Sequence, residues 1–243
     1  AMATNPCETQ PLAPLLEYIR YPIGGTCQDD ASSGNNNGYT CKCYEGYTGQ
    51  SCQHVTILDM DFQGIYGSSP TFTAAFKTLT ELKVLRLNEN LLSEVEEGFL
   101  VTTVNIEEMY LNHNQFENLD TDPFSTLSKL KRLRLGGNQL SEIPADVFRN
   151  NNLMTELFLD NNKFSNLDPI TFSFLPNLEV LRLHNNEITE IPVDLFRQNT
   201  ELKELYFYFN QISDLDSTVF SNSSKLKNLW LQSNKIEEIK NGQ

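Results

Sequence analysis

Carboxylates and aromatic rings recur in this chain at intervals of 24 residues, and the interval carries the chemistry more than any single residue does. Glu108, Glu156 and Glu204 share one column, Tyr110, Phe158, Tyr206 and Trp230 a second, and Asp160 and Tyr208 a third. Asp59 and Asp61 stand two apart, on one side of an extended segment, and Glu89 follows in the next unit. Rings beside carboxylates suit ligands rich in hydroxyls and amines, through stacking and hydrogen bonds. Tyr, Trp and Arg are also the side chains that most often anchor protein interfaces. Catalysis finds no such support. His54, His113 and His184 fall in different repeat units, and the pair Asp59 and Asp61 has no activating neighbour. The chain therefore reads as non-enzymatic, with no cofactor and no metal site.

The columns need a frame, and seven asparagines supply it. Asn90, Asn114, Asn138, Asn162, Asn186, Asn210 and Asn234 are spaced 24 apart without slippage, each inside the phrase L-x-L-x-x-N-x-L. A period of that length with that wording marks a leucine-rich-repeat solenoid. The L-x-L phrase predicts a short strand with one buried side, and stacked coils then pair these strands into one parallel sheet. Residues between the leucines point into the concavity. The ladder asparagines bond the backbone of adjacent turns and are structural. A second period of 48 lies over the first: SEIPADVFRNN and TEIPVDLFRQN alternate with NLDTDPFSTL, NLDPITFSFL and DLDSTVFSNS. So short a coil leaves no room for a long convex helix. The expected fold is an α/β-type solenoid, a curved horseshoe with a concave parallel sheet and a convex side of short 3₁₀ turns and extended segments. A longer, irregular first coil holds Leu58, Met60 and Ile65, with Gln63 at the Asn place.

Within that frame Glu108 faces Arg132, and Arg134 is within reach of Glu156, so part of the charge is cross-strand pairing. Asp59, Asp61 and Glu89 have fewer basic neighbours and are the expected bare carboxylates. The densest aromatic group is Tyr206, Tyr208, Phe209 and Trp230. Such rings also shield a parallel sheet from water.

The net charge of −14 argues against nucleic acid and anionic membranes as partners, since both need a basic footprint. It favours cationic or polyhydroxylated partners. No run approaches a membrane span in length. All five cysteines lie between Cys7 and Cys52 in a turn-rich stretch, as in a disulfide module of an oxidising compartment. The cluster contains neither a histidine nor a C-x-x-C pair, against the metal alternative. Asn222-Ser223-Ser224 is a glycosylation sequon, which agrees with secretion.

Gly24-Gly25-Thr26-Cys27, Gly38-Tyr39-Thr40-Cys41-Lys42-Cys43 and Gly46-Tyr47-Thr48-Gly49-Gln50-Ser51-Cys52 resemble the second half of an EGF-like module. The resemblance implies a Cys43–Cys52 bridge and a Cys7–Cys41 bridge. It leaves Cys27 without its usual partner, and Cys7 with Cys27 is the rival pairing. Residues 1–53 would then form an EGF-like amino-terminal cap and residues 54–243 the solenoid. The solenoid resembles extracellular leucine-rich-repeat proteins with 24-residue coils, including Toll-like receptor ectodomains and the variable lymphocyte receptors of jawless fish. The cysteine-bearing carboxy-terminal cap common in such receptors is not written here. The resemblance implies a secreted or cell-surface recognition protein of immune type, a monomer or weak dimer. Its partner would be a microbial surface polymer or a protein antigen, held on Asp59, Asp61, Glu89, Glu108, Tyr110, Glu156, Phe158, Asp160, Glu204, Tyr206, Tyr208 and Trp230. An adhesion or matrix module binding a protein ligand, or itself, is the alternative.

Overall fold

The computed structural model describes residues 25–29, 39–43, 47–48, 54–61, 63–65, 76–95, 100–119 and 123–240. Near the amino end, β1 (Gly25–Asp29) runs antiparallel to β2 (Tyr39–Cys43), with Cys27 opposite Cys41. Strand β3 (Tyr47–Thr48) pairs antiparallel with β4 (His54–Val55). The expected bridges Cys43–Cys52 and Cys7–Cys41 involve side chains outside the described residues.

The rest is the expected parallel solenoid. Its sheet runs through β5 (Ile57–Asp59), β6 (Val84–Arg86), β7 (Glu108–Tyr110), β8 (Arg132–Arg134), β9 (Glu156–Phe158), β10 (Val180–Arg182), β11 (Glu204–Tyr206) and β13 (Asn228–Trp230). Each strand is three residues long, and from β6 to β11 its central residue, such as Leu133 or Leu181, enters the core. Register advances by one repeat per strand: Leu133 lies opposite Leu157, and Leu181 opposite Leu205. Leu58 opposite Leu85 shows the longer first coil.

The asparagine ladder closes the turn after each strand. Asn138 Nδ2 donates to Leu135 O of its own coil at 2.9 Å and to Leu111 O of the coil before at 3.1 Å. Its Oδ1 accepts from Phe116 N at 3.1 Å. The pattern repeats at Asn114, Asn162 and Asn186. Buried backbone groups that no helix or hairpin satisfies are thus paired, where each one left open would cost about 1–3 kcal/mol. The residue just before each ladder asparagine adopts a left-handed conformation: Glu89, His113, Gly137, Asn161, Asn185, Phe209 and Ser233, with φ between 53° and 69°. Only Gly137 and the asparagines among them are suited to it.

The convex returns are i→i+3 turns, as in Leu127 N to Phe124 O at 3.0 Å and Leu175 N to Phe172 O at 3.0 Å. The 48-residue alternation has a physical basis there. Asn151 and Asn199, present only in the S/T-E-I-P coils, donate to Phe124 O and Leu127 O and to Phe172 O and Leu175 O at 2.8–3.0 Å. Between these bonds runs a spine of stacked rings, Phe124 on Phe148 and Phe172 on Phe196, each pair 6.3 Å apart. In the last coils, β12 (Asp214–Asp216) pairs with β14 (Glu238–Lys240) in a two-stranded parallel sheet.

Candidate ligand-binding face

The inner wall is built of three columns. The middle column is a continuous stack in which cations and rings alternate: Arg86, Tyr110, Arg134, Phe158, Arg182, Tyr206, Trp230. Guanidinium carbons lie 4.3–5.7 Å from the ring centres beside them. The column ends with Tyr206 flat on Trp230, ring centres 4.0 Å apart. Arginine and aromatic each recur every 48 residues, so the two-coil period is written on this face too. That alternation was present in the sequence and is the signal that would have found the stack. Phe158 is 7% exposed yet lies outside the apolar core, covered by its neighbours' guanidinium groups. Arg134, expected to reach Glu156, is committed to the rings of Tyr110 and Phe158 instead.

In the first column Arg132 serves both flanking acids, donating to Glu156 Oε1 at 2.6 Å and Oε2 at 2.7 Å, and to Glu108 Oε2 at 3.1 Å. The Arg132 hydrogen bond holds the Glu156 carboxyl below its ordinary range. Tyr110 donates its hydroxyl to Glu108 Oε2, and Tyr206 donates its own to Glu204 Oε2 at 2.7 Å. These acids are therefore not free.

The acids nearest the amino end were expected to stand bare, and two of them do not. Asp59 and Asp61 are each 8% exposed. Asp59 pairs with Arg86 at 3.4 Å, and Asp61 accepts from Asn88 N at 2.6 Å and Asn88 Nδ2 at 3.1 Å. The neighbouring strand lays Arg86 and Asn88 over them, a contact that depends on register between coils and so escapes residue counting. Glu89 is exposed as expected.

The third column holds Asn112, Gly136, Asp160, His184 and Tyr208. Asp160 Oδ2 accepts from Asn161 Nδ2 at 2.7 Å and lies 3.7 Å from His184 Nε2. Burial pushes the His184 imidazole below its usual value, against the pull of Asp160. Its ring stacks on Tyr208 at 4.3 Å, and Phe209 meets Tyr208 edge-on at 5.6 Å. With Tyr206 and Trp230 these rings form an aromatic corner where Phe209 is 57% exposed. Asn222 is exposed, its Nδ2 donating to Arg197 O at 3.4 Å. Among the described residues no three His, Cys, Asp or Glu side chains converge as metal ligands would, and no helix is long and apolar enough to cross a membrane.

Leucine-rich-repeat models match residues 104–164, 152–212 and 200–241. This is a leucine-rich-repeat protein. An EGF-like-domain model matches residues 23–51 of the same chain, so the leucine-rich-repeat solenoid follows an EGF-like module. Among solved structures, the solenoid is similar to TLR13 in a TLR13–ssRNA13 complex, with TM-score 0.69 and 29% identity over 75% of this chain and 26% of that one. It is also similar to the Drosophila Toll–Spätzle complex, with TM-score 0.65 and 25% identity over 75% of this chain and 24% of that one. Internalin C2 of Listeria monocytogenes, 21% identical with TM-score 0.63 over 76% of this chain and 74% of its own, shares the fold. The chain spans about a quarter of the length of the two Toll-like chains. No curated protein matches the sequence.

Proposed function

We propose that this leucine-rich-repeat protein is a non-enzymatic extracellular recognition protein of immune type. Its inner wall would bind a microbial surface component or a protein antigen. The observation that carries the reading is the aromatic corner: Tyr206, Tyr208, Phe209 and Trp230 gathered on a solvent-facing wall, with Phe209 exposed on a left-handed backbone that a bulky side chain disfavours. Buried rings need no further partner, whereas an exposed ring beside stacked Tyr and Trp is what an interface hot spot presents. At its border Glu204, on the same strand as Tyr206, accepts from the Tyr206 hydroxyl at 2.7 Å. Two Toll-like neighbours, one described with an RNA and one with Spätzle, support recognition as the role of this fold. A net charge of −14 weighs against RNA for this chain.

Pull-down on bacterial cells and on purified cell-wall glycans tests the reading. Tyr208→Ala with Trp230→Ala should abolish capture, and replacing Glu89, Glu108, Glu156 and Asp160 by Ala should weaken it. Capture unchanged in both variants places the site elsewhere.

A further inference from the structure

Midway along the inner wall, across β8, β9 and β10, a shallow notch of about 170 Å³ opens between Arg134 and Arg182, with Phe158 at its base and Asn112, Gly136 and Asp160 on its other sides. It exists because one coil has no side chain there. Where the other coils place Asn88, Asn112, Asp160, His184, Tyr208 or Gln232, this one has Gly136. A Cβ added to Gly136 would lie 3.0 Å from both carboxylate oxygens of Asp160.

Charge singles out the same place. Arg86, Arg132, Arg149 and Arg197 each sit in an ion pair. Among the described arginines, only Arg134 and Arg182 lack a carboxylate partner, in a chain of net charge −14. Their planes are held against the two sides of the Phe158 ring, at 4.8 and 4.3 Å. A guanidinium whose face is stacked still offers N–H donors along its edge, in the planar fork that matches a carboxylate. An acceptor stands nearby: Asp160 is the one carboxylate lining the notch. Two cations with one acceptor beside them suit a carboxylate next to hydroxyls, and disfavour a compact dianion, which Asp160 would repel.

Resting on the reading of the inner wall as the ligand site, we propose that this notch is a subsite for an acidic sugar of the uronic class. Arg134 and Arg182 take its carboxylate, and Asp160 accepts from its ring hydroxyls.

Titration of the whole chain with glucuronic acid, followed by saturation-transfer NMR, tests this against glucose, methyl glucuronate and inorganic sulfate. Saturable binding of glucuronic acid is expected, with glucose and the methyl ester at least about tenfold weaker, the scale of one lost charge-assisted hydrogen bond. Arg134→Gln and Arg182→Gln should each weaken it about tenfold. Gly136→Asn, which writes into this coil the residue its neighbour already carries, should abolish it with both cations intact. Circular dichroism and the melting temperature confirm that each variant is folded. The subsite is refuted by no saturable binding, by equal binding of acid and methyl ester, or by sulfate competing as well as glucuronic acid. None of these results touches capture of cells through the aromatic corner, which the Tyr208 and Trp230 variants decide separately.

Discussion

Arg182 holds its guanidinium carbon 4.3 Å from the centre of the Phe158 ring, and Arg134 stands 4.8 Å from the same ring on the adjacent strand. The two cations cover an aromatic residue that the core does not claim. An exposed parallel sheet is thereby shielded without an extra layer of helix, since guanidinium stems and faces pack as apolar surface. Phe158→Ala removes a ring worth about 0.5–1 kcal/mol against each cation and its own buried area, for a loss of about 2–3 kcal/mol. Phe158→Leu should recover roughly half, keeping the area and losing the π face. Urea denaturation of the three proteins reads the difference. Equal stability of the Leu variant and wild type would mean that the arginines contribute only bulk.

Arg132 bridges Glu108 and Glu156, and its pH signature follows from Glu156. The hydrogen bond to Arg132 lowers the Glu156 carboxyl from its ordinary 4.5 in the folded chain. A carboxyl depressed on folding stabilises the fold above its unfolded value, and the contribution disappears as pH falls through the folded value. The pair is about one third exposed, so Arg132→Gln should cost only about 1 kcal/mol at neutral pH. The gap from wild type should narrow as pH falls below 4.5. Denaturation midpoints of both proteins across that range check the sign, and a gap that widened on acidification would contradict it.

Asp61 runs the other way. Burial is the largest influence and raises its carboxyl above the ordinary 3.8, against the lowering by the Asn88 hydrogen bonds. A carboxyl raised on folding favours the fold while protonated, and stability is lost as pH rises through the folded value. Asp61→Asn removes that loss. The Asn88 side chain can turn its unpaired Oδ1 toward the new amide, so the exchange needs only that amide flip. The variant should gain on wild type as pH rises above 3.8. A constant offset between the two proteins would show that Asp61 titrates normally.

The sheet, its register and the core columns were legible in the sequence because each rests on the 24-residue period alone: Leu133 meets Leu157 wherever the coils stack at all. The inner wall was legible as a set of positions. Which of its groups would be free was not. Asp59 and Asp61 counted as bare because basic residues are scarce near them in sequence, yet one coil later Arg86 and Asn88 close over them. Arg134 and Glu156 are close enough to pair by spacing, but Arg132 occupies the carboxylate and two rings occupy Arg134. Competition among three partners for one neighbour is settled by rotamers and stacking, which no column records. The left-handed turn at Phe209 is invisible for a different reason. The repeat imposes the conformation on whatever residue stands there, and only Gly137, Asn161 and Asn185 reveal it by type.

That imposed turn yields a prediction linking stability to recognition. Phe209 has φ of 53° and is 57% exposed, so the fold pays for a backbone that a bulky residue disfavours and recovers little by burial. Phe209→Gly should relieve the strain, and the gain from φ compatibility outweighs the greater freedom glycine has when unfolded, leaving a net stabilisation of up to about 1 kcal/mol. Phe209→Asn, which tolerates the left-handed region, should gain a similar amount. If the aromatic corner binds ligand, both variants become more stable and capture bacterial cells less well, since an exposed ring in a strained turn is the mark of a residue kept for contact. Melting temperature and cell pull-down on the same preparations separate the outcomes. Higher melting with unchanged capture removes Phe209 from the binding surface, and lower melting shows that its edge contact with Tyr208 matters more to the fold than the strain does.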